Sequence, residues 1–177
     1  MTTLRRLASD ELSDDERCQL RSLLDEAFAG TFSQHDWTNA LGGTHVIVTE
    51  DGRVLSHASV VPRTLRVGSR ALSTGYVEAV ATRPDYRRRG HASRVLAEVG
   101  RVIGEQYRLG ALSTGVPAIY ERLGWERWAG PTFARTPTGV LRTADEDGGI
   151  LVLRTATVGE LDLRAPIVCD WREGDVW

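Results

Sequence analysis

The stretch Arg87-Arg88-Arg89-Gly90-His91-Ala92 constrains this chain more than any other. It follows a mostly apolar run, Tyr76-Val77-Glu78-Ala79-Val80-Ala81-Thr82, and a turn, Arg83-Pro84-Asp85-Tyr86, and it leads into a helical pattern beginning near Ala92. A strand therefore feeds a basic, glycine-containing loop that opens a helix. Backbone N–H groups at a helix start lack partners within the helix, and with the helix macrodipole they make a site for an anion such as phosphate. Gly90 lets the backbone approach that anion closely, and the neighbouring arginines add positive charge.

The rest of the composition narrows the class. At 177 residues the chain is long enough to bury one substantial core, and a single domain over residues 1–177 is expected. No apolar run approaches the roughly 20 residues needed to span a bilayer, and no apolar signal core follows Met1, so the expected location is cytoplasmic, with no membrane partner. Cys18 and Cys169 are too few and too far apart for a metal site or disulfide framework; structural thiols and no metal are expected. All 22 basic residues are arginine, which excludes a catalytic lysine. A formal charge of −2 gives no support for a nucleic-acid partner. Charge is nevertheless uneven: from Asp145 to Trp177 eight carboxylates face three arginines, a bias that suits a cationic ligand.

Along the chain, Leu4 to Leu7 suggests a short first strand. Ser13-Asp14-Asp15-Glu16 forms a capping box, and Leu20, Leu23, Leu24, Ala27 and Phe28 then give one apolar helical face, with Gly30 as stop. A second short helix starts at Ser33. His45–Thr49, Val54–Val61 and Ala71–Thr82 read as an antiparallel meander, with Glu50-Asp51-Gly52 and Gly68-Ser69 as its turns. Pro62 predicts a bulge or an edge. Ala92, Val95, Leu96, Val99 and Ile103 keep helical spacing up to Gly110, and Leu109–Thr114 returns to the sheet. Pro117 fits a first helical position, with a brief helix over Ala118–Leu123. Ile150–Leu153 and Ile167–Cys169 are further strand candidates.

The segment R-x-x-G-x-A at Arg87–Ala92, with V-x-x-R-P-x-Y at Val80–Tyr86 and Y-x-x-x-G-W at Tyr120–Trp125, resembles the GCN5-related N-acetyltransferases (GNAT). The resemblance implies an α/β fold with a mixed, mainly antiparallel central sheet, flanked by about four helices, in which two splayed strands bind acetyl-CoA as cosubstrate. It assigns Val80, Ala81 and Thr82 to the pantetheine and acetyl group, and Arg87, Arg88, Arg89, Gly90, His91 and Ala92 to the pyrophosphate. It makes the Val80 N–H the donor to a tetrahedral oxyanion. An amine attacks a thioester only when neutral, so a proton acceptor is needed; Glu78, two residues before Val80 and on the same face of an unbulged strand, is the candidate general base. Tyr120 matches the position whose hydroxyl protonates the leaving thiolate.

Further phrases extend the likeness over nearly the whole chain. Ala27-Phe28-Ala29-Gly30, Asp36-Trp37, Leu41-Gly42-Gly43, Gly75-Tyr76-Val77-Glu78, Leu109-Gly110-Ala111-Leu112-Ser113 and the ending Cys169-Asp170-Trp171-Arg172-Glu173-Gly174-Asp175-Val176-Trp177 resemble the aminoglycoside 2′-N-acetyltransferases. Direct acetylation of an aminoglycoside or related polycationic amine, a role in antibiotic resistance and a homodimer are what this resemblance implies. Thr31, Asp36, Glu78, Ser113, Asp145, Glu146, Asp175 and Trp177 with its α-carboxylate would then face the acceptor. An opposite charge at 4 Å is worth about 4 kcal/mol at an intermediate dielectric before desolvation. Thr31 stands where that pattern has a carboxylate and Glu146 where it has aspartate, and the segment from Ser113 to Tyr120 is two residues shorter than the pattern. Alternative readings are acetylation of another polyamine, a cell-wall amino sugar or a protein N-terminus, and a non-catalytic acyl-CoA sensor.

Overall fold

Reciprocal capping fixes where the first two helices begin. Ser13 accepts from the Glu16 amide at 3.2 Å while Glu16 accepts from the Ser13 amide at 3.0 Å, and α1 (Asp14–Ala27) follows. Ser33 and Asp36 repeat the device ahead of α2 (Gln34–Asn39). The computed structural model describes residues 1–177 and divides the chain into two compact units, one of Met1–Val61 with Val77–Val102, the other of Pro62–Tyr76 with Ile103–Trp177.

In the first unit, β1 (Thr2–Ala8) pairs antiparallel with β2 (Thr44–Glu50), from Thr2↔Glu50 to Ala8↔Thr44. β2 pairs antiparallel with β3 (Arg53–Val67), which neighbours β4 (Arg70–Thr82). Asp51 and Gly52 both have positive φ, 48° and 79°, the geometry that lets a two-residue turn follow the strands' twist. Leu20, Leu23 and Leu24 of α1 are wholly buried and pack with Leu12, Phe32, Ile47, Val54 and Ala81. Each such leucine contributes about 1.5–3 kcal/mol of transfer free energy. Val95, Leu96, Val99 and Val102 form the buried face of α3 (His91–Gln106).

In the second unit the start of β4 pairs parallel with β5 (Leu109–Ser113), over Thr74–Tyr76 against Leu109–Ala111. β9 (Ile150–Arg154) lies antiparallel to β5, and β6 (Glu126–Arg127) to β9. The end of β3 pairs antiparallel with β10 (Ile167–Asp170), which runs parallel to β7 (Thr132–Thr136) and leads to β8 (Gly139–Arg142). α4 (Ala118–Glu121) is the last of four α-helices, and the strand pairings are mixed and mainly antiparallel. None of the helices is long and apolar enough to cross a membrane.

Several details differ from the sequence reading. β3 runs through Pro62 for 15 residues; the proline falls after the span paired with β2, which ends at Val60, and before that paired with β10, which starts at Leu65, so neither of those two ladders needs its missing N–H. Pro117 caps α4 and lies outside its first turn. Cys169 is buried but Cys18 is exposed, so only the former fits a structural thiol. The α3 helix ends at Gln106, and Gly110 lies inside β5 opposite Gly75. A methyl group at position 110 would stand 2.9 Å from Ile103 Cδ1 and 3.0 Å from Leu153 Cβ. Glycine is thus required by close packing rather than by a helix end. Gly110→Ala is expected to destabilise the fold by about 1–3 kcal/mol, read as a lower urea midpoint with an unchanged slope.

Candidate functional site

The last residues of β4, the turn after it and the start of α3 build one end of the first unit. Arg83 anchors the turn from inside: it is 8% exposed, donates from Nε to Val54 O at 2.7 Å and from Nη1 to Glu26 Oε2 at 3.0 Å. Pro84–Tyr86 then forms a 3₁₀ turn, and the Tyr86 ring meets two guanidinium groups, Arg89 at 5.0 Å and Arg53 at 5.7 Å from its centroid. Arg88 and Gly90 have positive φ, 58° and 81°, in the exposed loop just before α3. The first-turn amides of a 16-residue helix point out of that loop, and His91 Nδ1 is buried there without a hydrogen-bond partner. Exposed Arg87, Arg88 and Arg89 surround them. This donor set fits a pyrophosphate.

Within β4 the alternation expected between Glu78 and Val80 is broken. Ala79 between them has φ 52°, so two neighbours that a regular strand would place on one face are re-aimed by a left-handed residue. Three polar side chains hold the carbonyls on either side of this kink and beyond it. His57 Nδ1 lies 2.8 Å from Ala79 O, Ser59 Oγ donates to Glu78 O at 3.4 Å, and Ser56 Oγ donates to Ala81 O at 3.0 Å. Ser56 also meets the Thr82 hydroxyl at 2.8 Å.

The acceptor residues expected in the first unit have local duties. Asp36 Oδ2 accepts from the Ser33 amide at 2.7 Å as the reciprocal half of the α2 cap. Thr31 Oγ1 donates to Phe28 O at 2.7 Å at the end of α1 and is exposed.

The second unit gathers four other expected residues around one short turn. Asp145 and Glu146 lie in the 3₁₀ turn Ala144–Glu146, Ser113 Oγ donates to Glu146 Oε2 at 3.1 Å, and Trp177 Nε1 donates to Thr143 Oγ1 at 3.0 Å just ahead of that turn. Trp177 is 3% exposed. Its approach is fixed by Arg63, whose Nη2 donates to Asp170 O and Val176 O, each at 2.8 Å. Asp175 is exposed, with its carbonyl accepting from Arg172 Nε at 2.7 Å. The acidic bias of this region is partly structural: Asp147 pairs with Arg142 and accepts from Thr132, which holds its pKa down at about 2, and Asp170 pairs with Arg66 and Arg135.

Tyr120 is buried in α4 and meets Trp125 edge-on, with ring centroids 6.0 Å apart. Its phenol is pushed up to about 12 by loss of solvent. The hydroxyl therefore keeps its proton throughout the neutral range, as a proton donor must.

Sequence reasoning missed Arg83 and the buried pair His45–His57. The Arg-Pro dipeptide marks the turn but not the inward direction of its arginine. The two histidines are diagonal neighbours across a hairpin, His45 pairing with Ser59 and His57 with Ile47, a register that only the assembled sheet reveals.

The acetyltransferase (GNAT) domain family matches residues 9–128. The chain is 44% identical over 179 aligned positions to an aminoglycoside 2′-N-acetyltransferase of Mycolicibacterium fortuitum, with 99% of this chain and 92% of the relative covered. A GNAT family N-acetyltransferase from Escherichia coli solved in complex with CoA matches with a TM-score of 0.68 at 18% identity, over 95% of this chain and 89% of that one. A GNAT family acetyltransferase from Brucella melitensis in complex with acetyl-CoA gives 0.62 at 15%, over 94% of both. At such identities the structural likeness is one of fold.

The raised Tyr120 pKa has a defined sign. The folded state holds this proton more tightly than the unfolded chain does, so the associated stability is complete below pH 10 and is lost as pH rises toward 12. In an ultraviolet titration, subtracting the Tyr120→Phe curve from the wild-type curve should leave one phenol titrating near 12; a midpoint near 10 would contradict the burial.

Proposed function

We propose, on the premise that this chain belongs to the GNAT acetyltransferase family, that it transfers the acetyl group of acetyl-CoA directly to the 2′-amine of an aminoglycoside. The acceptor rests on one observation, the 44% identity to an aminoglycoside 2′-N-acetyltransferase along 99% of the chain. Residues 1–177 would act as one catalytic domain.

The chemistry needs three things from the protein. The donor's pyrophosphate would be held by the amides at the α3 start, with Arg87–Arg89, Gly90, His91 and Ala92, while backbone groups of Val80–Thr82 would receive the pantetheine and acetyl group. The acceptor arrives as an ammonium ion, and Glu78, directly or through water, would take its proton. The neutral nitrogen then attacks the thioester carbon, and the negative charge on the oxygen falls to the Val80 N–H. The C–S bond breaks as the amide forms, the nitrogen's surplus proton passes to solvent, and Tyr120 gives its proton to the departing thiolate and is restored by solvent. No covalent acetyl-enzyme is needed: burial pushes the Cys169 thiol up, which disfavours its nucleophilic form, and Cys18 carries no activating motif.

Asp36, Ser113, Asp145, Glu146 and Asp175, with Thr31 and Trp177, would orient the polycation. Asp36 and Glu146 each carry a second carboxylate oxygen or lone pair beyond their internal bond, so an ammonium contact is compatible with the capping and hydroxyl contacts already made. A cytoplasmic homodimer acting in antibiotic resistance completes the reading.

Thiol release from acetyl-CoA with paired antibiotics tests it. Kanamycin B, with an amine at 2′, should be turned over, and kanamycin A, with a hydroxyl there, should not; equal rates would reject the regiochemistry. Glu78→Gln should bind both substrates and lose about 10²–10⁴-fold in kcat at neutral pH. Full activity in that variant would remove the proposed base.

A further inference from the structure

Behind the kink in β4 the first unit encloses a chain of hydrogen bonds that no part of the acyl transfer described above uses. Gly42 and Gly43 donate their amides to Ser9 Oγ at 2.9 and 3.3 Å. Ser9 Oγ lies 2.8 Å from His45 Nε2, His45 Nδ1 lies 2.9 Å from His57 Nε2, and His57 Nδ1 lies 2.8 Å from Ala79 O. Both imidazoles are inaccessible to solvent and stack at 5.2 Å.

The direction of every bond in this chain follows from its last member. A carbonyl only accepts, so His57 Nδ1 carries a hydrogen. Neutral His57 then offers Nε2 as acceptor, which requires a hydrogen on His45 Nδ1 and leaves His45 Nε2 to accept from the Ser9 hydroxyl, for which it is a nearer acceptor at 2.8 Å than Gly43 O at 3.3 Å. Gly42 and Gly43 fill the serine's lone pairs. A second proton on His57 would set two N–H groups against each other, and one on His45 would meet a serine oxygen that already accepts from two amides. Burial accordingly pushes His45 down to about 4, with Arg17 adding to the effect, and His57 down to about 3, with His45 adding to it. The glycines are part of the device: a methyl at position 43 would lie 2.0 Å from Val60 O, so only glycine brings these amides in.

The chain ends on a peptide with two faces. Ala79 C=O and Val80 N–H belong to the same amide, and a donor at the oxygen both fixes the amide's tilt and strengthens the N–H as a donor. We propose that His57, aligned through His45 and Ser9, is a positioning residue for acyl transfer: its Nδ1–H holds the kinked Ala79–Val80 amide and polarises it so that the Val80 N–H faces the developing oxyanion. This rests on the assignment of Val80 made above. His57 touches neither substrate.

Two measurements test it, one of them without catalysis. Nitrogen-15 NMR of the wild-type protein at neutral pH should show both His45 and His57 as neutral rings with the hydrogen on Nδ1. The other tautomer at either ring, or a charged ring, would overturn the relay whatever the reaction proves to be. In steady-state kinetics with acetyl-CoA and kanamycin B, His57→Leu removes the donor and should lower kcat about 10- to 100-fold, part of the loss seen when an oxyanion donor is deleted outright, with both KM values within about threefold. His57→Asn, whose amide nitrogen can replace Nδ1, should recover most of that kcat. Equal loss in both variants would show that His57 only fills space, and full kcat in a cooperatively folded His57→Leu would reject the role. Absence of any turnover by the wild type would fail the assigned reaction instead, and the tautomer measurement would still decide the relay.

Discussion

Ala79 occupies a left-handed conformation inside a strand, at φ 52°, and the first unit is arranged to hold it there. For an L residue that conformation is disfavoured by about 1–2 kcal/mol. The buried bond from His57 to its carbonyl offsets about 0.5–1.5 kcal/mol, and Ala79 also packs against the leucine cluster of α1. These opposing magnitudes are nearly equal, so neither the hydrogen bond nor the packing alone secures the kink. Glycine would relieve the strain but would widen the unfolded and local ensembles that the kink must exclude. The direction in which Glu78 and Val80 leave the strand is set by this balance, and any chemistry assigned to them depends on it.

The exclusive use of arginine makes sense against the same background. A guanidinium can serve two carbonyls or a carboxylate and a carbonyl at once. Arg83 does so with Val54 O and Glu26, and Arg63 with Asp170 O and Val176 O, each tying a loop or tail to its unit. Arg142 makes a two-pronged contact with Asp147. Arg87, Arg88 and Arg89 remain exposed. Local geometry, not residue type, therefore separates the arginines that tie the fold together from those left exposed. The carboxylates divide similarly: Asp147 and Asp170 are neutralised within the fold, while Asp145 and Asp175 stand exposed.

Elements encoded by neighbouring residues were legible in the sequence. The Ser13 and Ser33 caps, the Asp51-Gly52 turn and the buried spacing of α3 depend on contacts within a few positions, and the structure reproduces them. The strand–loop–helix junction at Arg87–Ala92 belongs to the same class. β7 and β8 were not foreseen: β8 is exposed along its whole length and carries no inward face to create a pattern, and the buried positions of β7 are only Thr132 and Ala134, neither a large apolar residue. Gly110 was read as a helix stop because glycine signals both an end and a tight contact, and only Ile103 and Leu153 decide which. The kink at Ala79 was equally hidden. Alanine carries no preference for positive φ, and the groups that contact Ala79, His57 at its carbonyl and the α1 cluster at its side chain, lie far from it in sequence.

Burial places the proton-bearing groups of both units in their neutral forms with wide margins, Tyr120 near 12 and the histidines near 4 and 3. That margin matters for an acceptor that is a polycation. One added positive charge at about 8 Å is worth about 2 kcal/mol at an effective dielectric of 20, enough to lower a pKa by between one and two. Tyr120 would still be protonated at neutral pH, and the histidines would only become harder to charge. A solvent-exposed histidine in the place of His57 would instead start near neutrality, where the same field would change its charge with each substrate bound. Desolvation thus does for the proton inventory what the kink does for the backbone: it sets the protonation state of these buried groups before a highly charged ligand arrives.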